Sequence, residues 1–304
     1  MSEPPPSAGY QVPPLGPVPP PNPFADPSDP LISPDYAGWW RRNVALLRAY
    51  WRPLLVLQLI AAAVALVLRV PTAIAEALGS RELQTGARLS GTEALHALGN
   101  ALPWLGVGAV GAMLSGVAFA VAILAGMRLI VVAVTGGQPD VGAALRGALR
   151  RLFPLVGWGL LAWLIVLAGI CACFLPGLYF VAVFTVLPAV VLFERGGVIA
   201  RCFKLFHADL GASLARVATI IGIAVAAALI TSVVGGIVNV IAGTSAGSTG
   251  PLVGATLVTA VLGVVVNVAL GVVLTPLILT TYADERARRE PVHTGVLAHE
   301  LATA

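Results

Sequence analysis

Seven ionisable residues crowd the stretch 194–216: Glu194, Arg195, Arg201, Lys204, His207, Asp209 and Arg216. Carboxylates, a histidine and cations this close are raw material for general acid–base chemistry, which needs them held in a pocket with shifted proton affinities. Their spacing argues against that use. His207 and Asp209 are two residues apart and do not share a helix face. On a helix over 198–214, Ile199, Cys202, Phe203, Phe206, Leu210 and Leu214 fall on one face, and Arg201 and Lys204 on another. That is a cationic amphipathic segment of the kind that lies in the plane of a membrane interface. No catalytic role is expected of it.

Other candidate chemistry is sparse. Cys171 and Cys173 form a C-x-C pair with no histidine nearby. The pair falls short of a metal-ligand set and suits small apolar filler. Three cysteines supply no disulfide framework. There is no phosphate-cradling glycine loop, no zinc-type histidine spacing and no nucleophile elbow. Neither cofactor nor metal is expected, and the chain does not read as an enzyme. What stands out is polarity inside apolar runs, at Gln58, Arg128, Asn239 and Asn267. Intramembrane charge is costly and by default marks function. Arg128, however, lies about six residues from the end of its run, roughly 9 Å at helical rise. A snorkelling side chain covers most of that, so a paired or functional Arg128 and a snorkelling one are both open. Asn239, Asn267 and Gln58 are expected to hydrogen-bond between helices. The sharper alternative is a polar lining for a substrate path.

The elements that must carry these residues are membrane spans. The chain has 304 residues, 58% hydrophobic and 11% charged, against about 25% charged in an average soluble domain. No charged residue occurs from Leu152 to Phe193 or from Val217 to Ala283. Six spans are expected, near 54–78, 102–134, 155–175, 178–193, 214–242 and 252–282. Pro176-Gly177 divides the third from the fourth, and GTSAGSTGP divides the fifth from the sixth. The runs are continuous, not alternating, so they are helices, and the fold class is all-α integral membrane.

Basic residues set the orientation. Arg41, Arg42, Arg48 and Arg52 precede the first span, and Arg128, Arg146, Arg150 and Arg151 surround the second turn. Arg195, Arg201, Lys204 and Arg216 fill the fourth, and Arg286, Arg288 and Arg289 follow the last span. Only Arg69, Arg81 and Arg88 fall on the other side. Both termini are therefore expected in the cytoplasm, with the protein in the cytoplasmic membrane.

Amphipathic basic segments precede each pair of spans. In the first, Trp40, Val44, Leu47, Trp51 and Leu54 oppose Arg41, Arg48 and Arg52. In the second, Val141, Leu145, Ala148, Leu149 and Leu152 oppose Arg146 and Arg150. The architecture expected is three hairpins, each preceded by a cytoplasmic interfacial helix. Arg48, Arg52, Arg146, Arg150, Arg201 and Lys204 would face anionic headgroups. The inner ends of the return spans align loosely, with Arg128, Pro188 and Pro276 eight residues before Gly136, Gly196 and Asp284. Small residues recur every four positions at Gly108, Ala112, Gly116 and Ala120. They do so again at Ala224, Ala228, Ser232 and Gly236, and at Ala255, Thr259, Gly263, Asn267, Gly271 and Thr275. These stripes are expected to be helix–helix seams. Residues 1–36 read as a disordered proline-rich cytoplasmic tail, 37–290 as the transmembrane domain, and 291–304 as a short cytoplasmic tail. The first tail is either a docking peptide for a proline-reading protein partner or a solvated spacer. The net charge of +4 does not call for nucleic acid.

The stretch FLPGLYFVAVFTVLPAVVLFERGGVIARCFKLFHADLGASLARV, with TPLILTTYADERARRE at the end, resembles the membrane-domain family associated with glycerophosphoryl diester phosphodiesterases. Pro176, Gly177, Pro188, Glu194, Arg201 and Lys204 carry the likeness over roughly residues 140–290. It implies a multi-pass architecture like that of the family's stand-alone actinobacterial members. The phosphodiesterase activity belongs to a separate soluble barrel that this chain does not encode. The function expected is a non-catalytic scaffold or accessory protein. The alternative is a small-molecule or lipid transporter or channel with a site near Arg128 and Asn267.

Overall fold

The computed structural model describes residues 24, 26, 28–86, 91–243 and 249–303, and among them all regular structure is helical. The helices are α1 (Tyr36–Gly86), α2 (Thr92–Val134), α3 (Val141–Leu149), α4 (Leu152–Ala172), α5 (Phe174–Phe184), α6 (Leu187–Phe193), α7 (Val198–Phe206), α8 (Leu210–Gly243), α9 (Thr249–Ala287) and α10 (Thr294–Thr303). Six stretches are long and apolar enough to cross a membrane: Tyr36–Thr72, Thr92–Val134, Leu152–Ala172, Phe174–Phe193, Leu210–Val238 and Val253–Ala287. Helix is the conformation that lets such runs satisfy every backbone group without water. Consecutive long helices pack together, α1 on α2, α4 on α5 and α8 on α9, and α9 also crosses onto α1 and α2. The core sits where α1, α2 and α9 meet, around Leu54, Leu57, Leu124, Met127 and Leu279.

Element boundaries depart from the sequence reading in physically explicable ways. The first basic segment and first span are one continuous helix, α1, with Pro53 and Pro71 inside it. A proline removes one helical donor, and the packing against α2 and α9 holds the helix through both. Among the described residues no separate helix precedes this span, whereas α3 and α7 do stand alone before α4 and α8. The turn between the third and fourth spans is not at Pro176-Gly177. It is one extended residue, Cys173 (φ −171°, ψ 149°). Pro176 sits in the first turn of α5, where its missing N–H costs nothing. A Cβ at Gly177 would run into Ile170, including its backbone N at 2.9 Å, so glycine lets the two helices close up. The fourth span breaks at Thr185–Val186, with Pro188 in the first turn of α6, while Pro276 lies inside an unbroken α9. The segment expected as one helix over 198–214 divides at His207–Asp209. Asp209 caps α8 by accepting from the Ala212 N–H at 3.1 Å. Of the aligned glycines, Gly136 (φ 85°) stops α2 in a left-handed position that suits glycine, whereas beside Gly196 it is the next residue, Gly197 (φ 61°), that takes this conformation before α7. Asp284, the third member, lies inside α9.

Both tails are shorter than drawn. Residues 1–23 lie outside the described residues, but Leu31, Ile32 and Ser33 are buried. The segment 291–304 is largely α10, whose Leu297 and Leu301 are buried. Apolar residues three or four apart on a short helix need a surface to cover, and the bundle's basic end supplies it.

The small-residue stripes are seams only in part. On α2, Ala112 and Gly116 are exposed, and a Cβ at Gly116 would meet no atom within 4 Å. The close approaches use the next face instead. Gly111 abuts Thr72 of α1, and a Cβ at Gly126 would lie 2.7 Å from Thr275 of α9. On α8, Gly236 is open, and the contact with α9 runs through Gly235, where a Cβ would lie 2.9 Å from Thr259. Along α9, Gly271 and Thr275 are buried, while Asn267 is exposed.

Candidate functional site

The charges converge at one end of the bundle, where α7 to α10 meet residues 29–35. Arg216 on α8 faces Asp284 on α9 at 3.1 Å, and both side chains are almost completely buried, at 1% and 0% exposure. Arg216 also donates to the Ser33 carbonyl at 3.0 Å, and the Ser33 N–H donates to Asp284. Glu285, fully buried, is the neighbouring second carboxylate.

A second knot surrounds Arg286. Its guanidinium grips both oxygens of Glu300 on α10 at 2.7 Å each, and donates to Glu290 at 2.8 Å and to the Tyr282 hydroxyl at 3.0 Å. The Tyr282 hydroxyl donates in turn to Glu194 at 3.0 Å, and its ring stacks on Phe193. Arg201 of α7 closes the ring, reaching Glu194 at 2.9 Å and Glu290 at 2.5 Å. Burial opposes charge on Arg201, yet its bonds to Glu194 and Glu290 win and raise its proton affinity. Burial would likewise raise Glu290, but bonds from Arg286 and Arg201 hold it below the usual carboxylate value.

A third set of contacts clamps the N-terminal segment. Asp29 accepts from Thr294 N–H (3.0 Å) and Thr294 hydroxyl (2.6 Å) at the start of α10. Arg42 donates to the Asp29 carbonyl at 2.7 Å. Arg288 pairs with Asp209 and donates to the Pro34 carbonyl at 3.0 Å. A bond from Ala212 N–H first, and Arg288 and Arg216 less, hold the Asp209 carboxyl below its usual range. The result is an ionic cap in which the partners of Asp29, Glu194, Asp209, Asp284, Glu290 and Glu300 are cations, backbone donors or hydroxyls. Such a cap fixes elements relative to one another.

Of the charges in 194–216, the structure thus disperses what sequence crowds. Glu194 and Arg201 belong to the Arg286 knot, Arg216 to the buried pair, and Asp209 to a cap. His207 is exposed, with Nδ1 against the Phe203 carbonyl and Nε2 3.3 Å from the Tyr179 hydroxyl. Among the lipid-facing candidates, Arg48, Arg52, Arg146, Arg150 and Lys204 are exposed. Arg201 is not free for headgroups, because Glu194 and Glu290 occupy it.

Arg128 and Asn267 are not brought together. Arg128 lies against Gly147 of α3 and donates to the Leu301 carbonyl at 3.3 Å, near the C-terminus of α10. A tail at 291–304 would offer no fixed partner, whereas α10 holds the Leu301 carbonyl in place. Asn267 donates to the Gly263 carbonyl of its own helix at 2.8 Å, so it bridges no helices. The side chain of Asn239 lies outside the described residues. Gln58 is buried on Gly271 of α9, and neither amide atom has a hydrogen-bond partner among the described residues.

Cys202 is buried, and desolvation first, then the charges of Glu285 and Glu194, push its thiol up to about 12. Among the described residues no group of three His, Cys, Asp or Glu could hold a metal. The cap residues that sequence reasoning missed are Asp29, Ser33, Asp284, Glu285, Arg286, Glu290 and Glu300. One signal was available. Leu31 and Ile32 are an apolar pair inside a polar tail, flanked by Asp29 and Asp35, and Asp284-Glu285 follow the last apolar run without a turn residue.

Six membrane-length apolar helices with one polar, interlocked end define a multi-pass membrane protein. Comparison with family models, curated proteins and solved structures finds no match for this chain.

Proposed function

We propose that this protein sits in the cytoplasmic membrane with both termini in the cytoplasm and serves as a non-catalytic scaffold or accessory subunit. The observation that carries the reading is the ionic cap. It spends the basic end's acids and many of its cations on locking residues 29–35 and α10 onto α8 and α9. Several polar side chains within the apolar helices are satisfied locally, Ser115 by Gly111, Asn267 by Gly263 and Thr275 by Gly271, and the buried Gln58 amide has no hydrogen-bond partner among the described residues. They do not converge on a path. The excess of Lys and Arg at the capped end supports a cytoplasmic orientation. The helices pair as three hairpins, with α3 and α7 at the interface. Exposed Arg48, Arg52, Arg146, Arg150 and Lys204 gain about 1 kcal/mol each from anionic headgroups. The proline-rich tail reaches a protein partner. The likeness to the phosphodiesterase membrane domain fits this architecture and brings no activity with it.

Thiol accessibility tests the reading. After removal of Cys171, Cys173 and Cys202, single cysteines at 124, 128, 263 and 267 are probed in native membranes with a water-soluble reagent from each side. Position 128 is expected to label from the cytoplasm alone and 263 and 267 from neither side. Labelling at both 263 and 267 would place water at mid-membrane and put the transport reading in its stead.

A further inference from the structure

An apolar groove of about 760 Å³ opens between α2, α4 and α6. Gly116 and Ala120 line it from α2, Gly159 and Trp163 from α4, and Leu187 and Pro188 from α6. α6 packs against both other helices. The groove stays open because small residues face it. A Cβ at Gly116 or Gly159 would meet no atom within 4 Å. Along α2 the lining runs from Ala109 to Ala120, about 16 Å at helical rise. That is about half of a ~30 Å hydrocarbon core, the depth of one leaflet.

Each wall leads to an arginine at the same end. Arg128 lies two turns beyond Ala120 on α2, Arg151 one turn before Leu155 at the start of α4, and Arg195 just past the end of α6. Arg128 and Arg195 donate one bond each to the carbonyls of Leu301 and Thr303 on α10. None of the three is paired with a carboxylate among the described residues. Arg151 has a buried Nη2 with no partner there. Its proton affinity is depressed by desolvation first and then by Arg195 and Arg128. This is the reverse of the cap a short distance away, where every buried arginine meets an acid. Three neighbouring guanidiniums short of counter-charge, beyond one end of an apolar slot about one leaflet deep, match an amphiphile with an anionic head. Arginine forks suit phosphate oxygens.

We propose that the groove binds an anionic phospholipid, with one acyl chain along Gly116 and Gly159 and the phosphate among Arg128, Arg151 and Arg195. The site rests on the helices crossing a bilayer and not on the scaffold role, so the accessibility experiment and the one below fail independently.

The full chain, purified in mild detergent, is offered phosphatidylglycerol or phosphatidylcholine with identical acyl chains, and bound lipid is counted by native mass spectrometry. Wild type is expected to prefer phosphatidylglycerol. The R151Q/R195Q variant is expected to lose roughly twenty-five-fold of that preference, from about fivefold per basic residue. R289Q, which removes an exposed charge elsewhere, should leave the preference in place. Gly116→Phe, which fills the slot, should lower retention of both lipids. R151K/R195K keeps the charges and should retain much of the preference, which separates charge from folding. Equal binding of the two lipids by wild type, an unchanged preference in R151Q/R195Q, or equal loss in the Lys and Gln variants would overturn the proposal.

Discussion

Replacing Arg216 with methionine isolates the cap's most buried interaction. Arg216 and Asp284 are 3.1 Å apart at 1% and 0% exposure, and Glu285 beside them is also fully buried. The substitution keeps an unbranched chain in the space but leaves two carboxylates without their nearest cation. Breaking a buried pair on one side costs about 3–5 kcal/mol, because the remaining charge stays desolvated. At roughly 2–4 °C per kcal/mol for a chain of this size class, the midpoint should fall by about 10 °C. Removing both members, as in R216M/D284L, should recover much of that loss, since an apolar replacement of a buried pair is often neutral. The assay is thermal unfolding of the purified chain in detergent, arranged as a double-mutant cycle. A second readout is specific to this geometry. Arg216 holds the Ser33 carbonyl and Asp284 holds the Ser33 N–H, so R216M should expose residues 29–35 to protease while α3, at a distance, stays protected. A single-variant loss no larger than about 0.5 kcal/mol, the scale of surface changes, would refute the reasoning. So would a double variant less stable than the single one.

Four further outcomes follow from the packing and the ion pairs. A Cβ at Gly271 would strike the Gln58 amide, so Gly271→Ala should destabilise by about 1–3 kcal/mol. Gln58→Leu, which removes an amide buried without partners, should stabilise by about 1–3 kcal/mol in the same unfolding assay. Cys202, with its thiol pushed up to about 12 and its side chain buried, should resist maleimide at neutral pH in the folded protein, while exposed Cys171 and Cys173 react in detergent; mass spectrometry of the labelled chain counts the adducts. The Glu290 carboxyl is held below its usual 4.5 in the folded state. It therefore adds stability above that value, which is lost as pH falls through the lower folded value. Acid below pH 4.5 should loosen the joint that Glu290 makes between Arg201 of α7 and Arg286 of α9, and E290Q should flatten that pH dependence of hydrogen exchange at α7.

What the sequence determined by itself was the kind of molecule. Uncharged runs too long for a soluble core, with polar turns between them, dictate apolar helices, because backbone in hydrocarbon has no other partner. Helix ends were legible where chemistry is local, as at Gly136, and to within one residue at Gly196, next to the left-handed Gly197. Helix faces were not. A spacing of four identifies a stripe on α2 but not what covers it. Gly116 turned out to face an open groove, while Gly111 and Gly126, off that stripe, make the close contacts. The candidate site failed for the same reason. His207 and Asp209 are neighbours in sequence yet have different partners. Arg216 and Asp284, or Arg286 and Glu300, meet only because α8, α9 and α10 end together. Ion pairs across helices depend on where elements stop relative to one another, which packing decides. The proline-rich prefix shows the limit most plainly. Composition marks residues 1–36 as a polar tail, yet Asp29 to Asp35 is held by carboxylate, guanidinium and hydroxyl groups supplied from residues more than a hundred positions away.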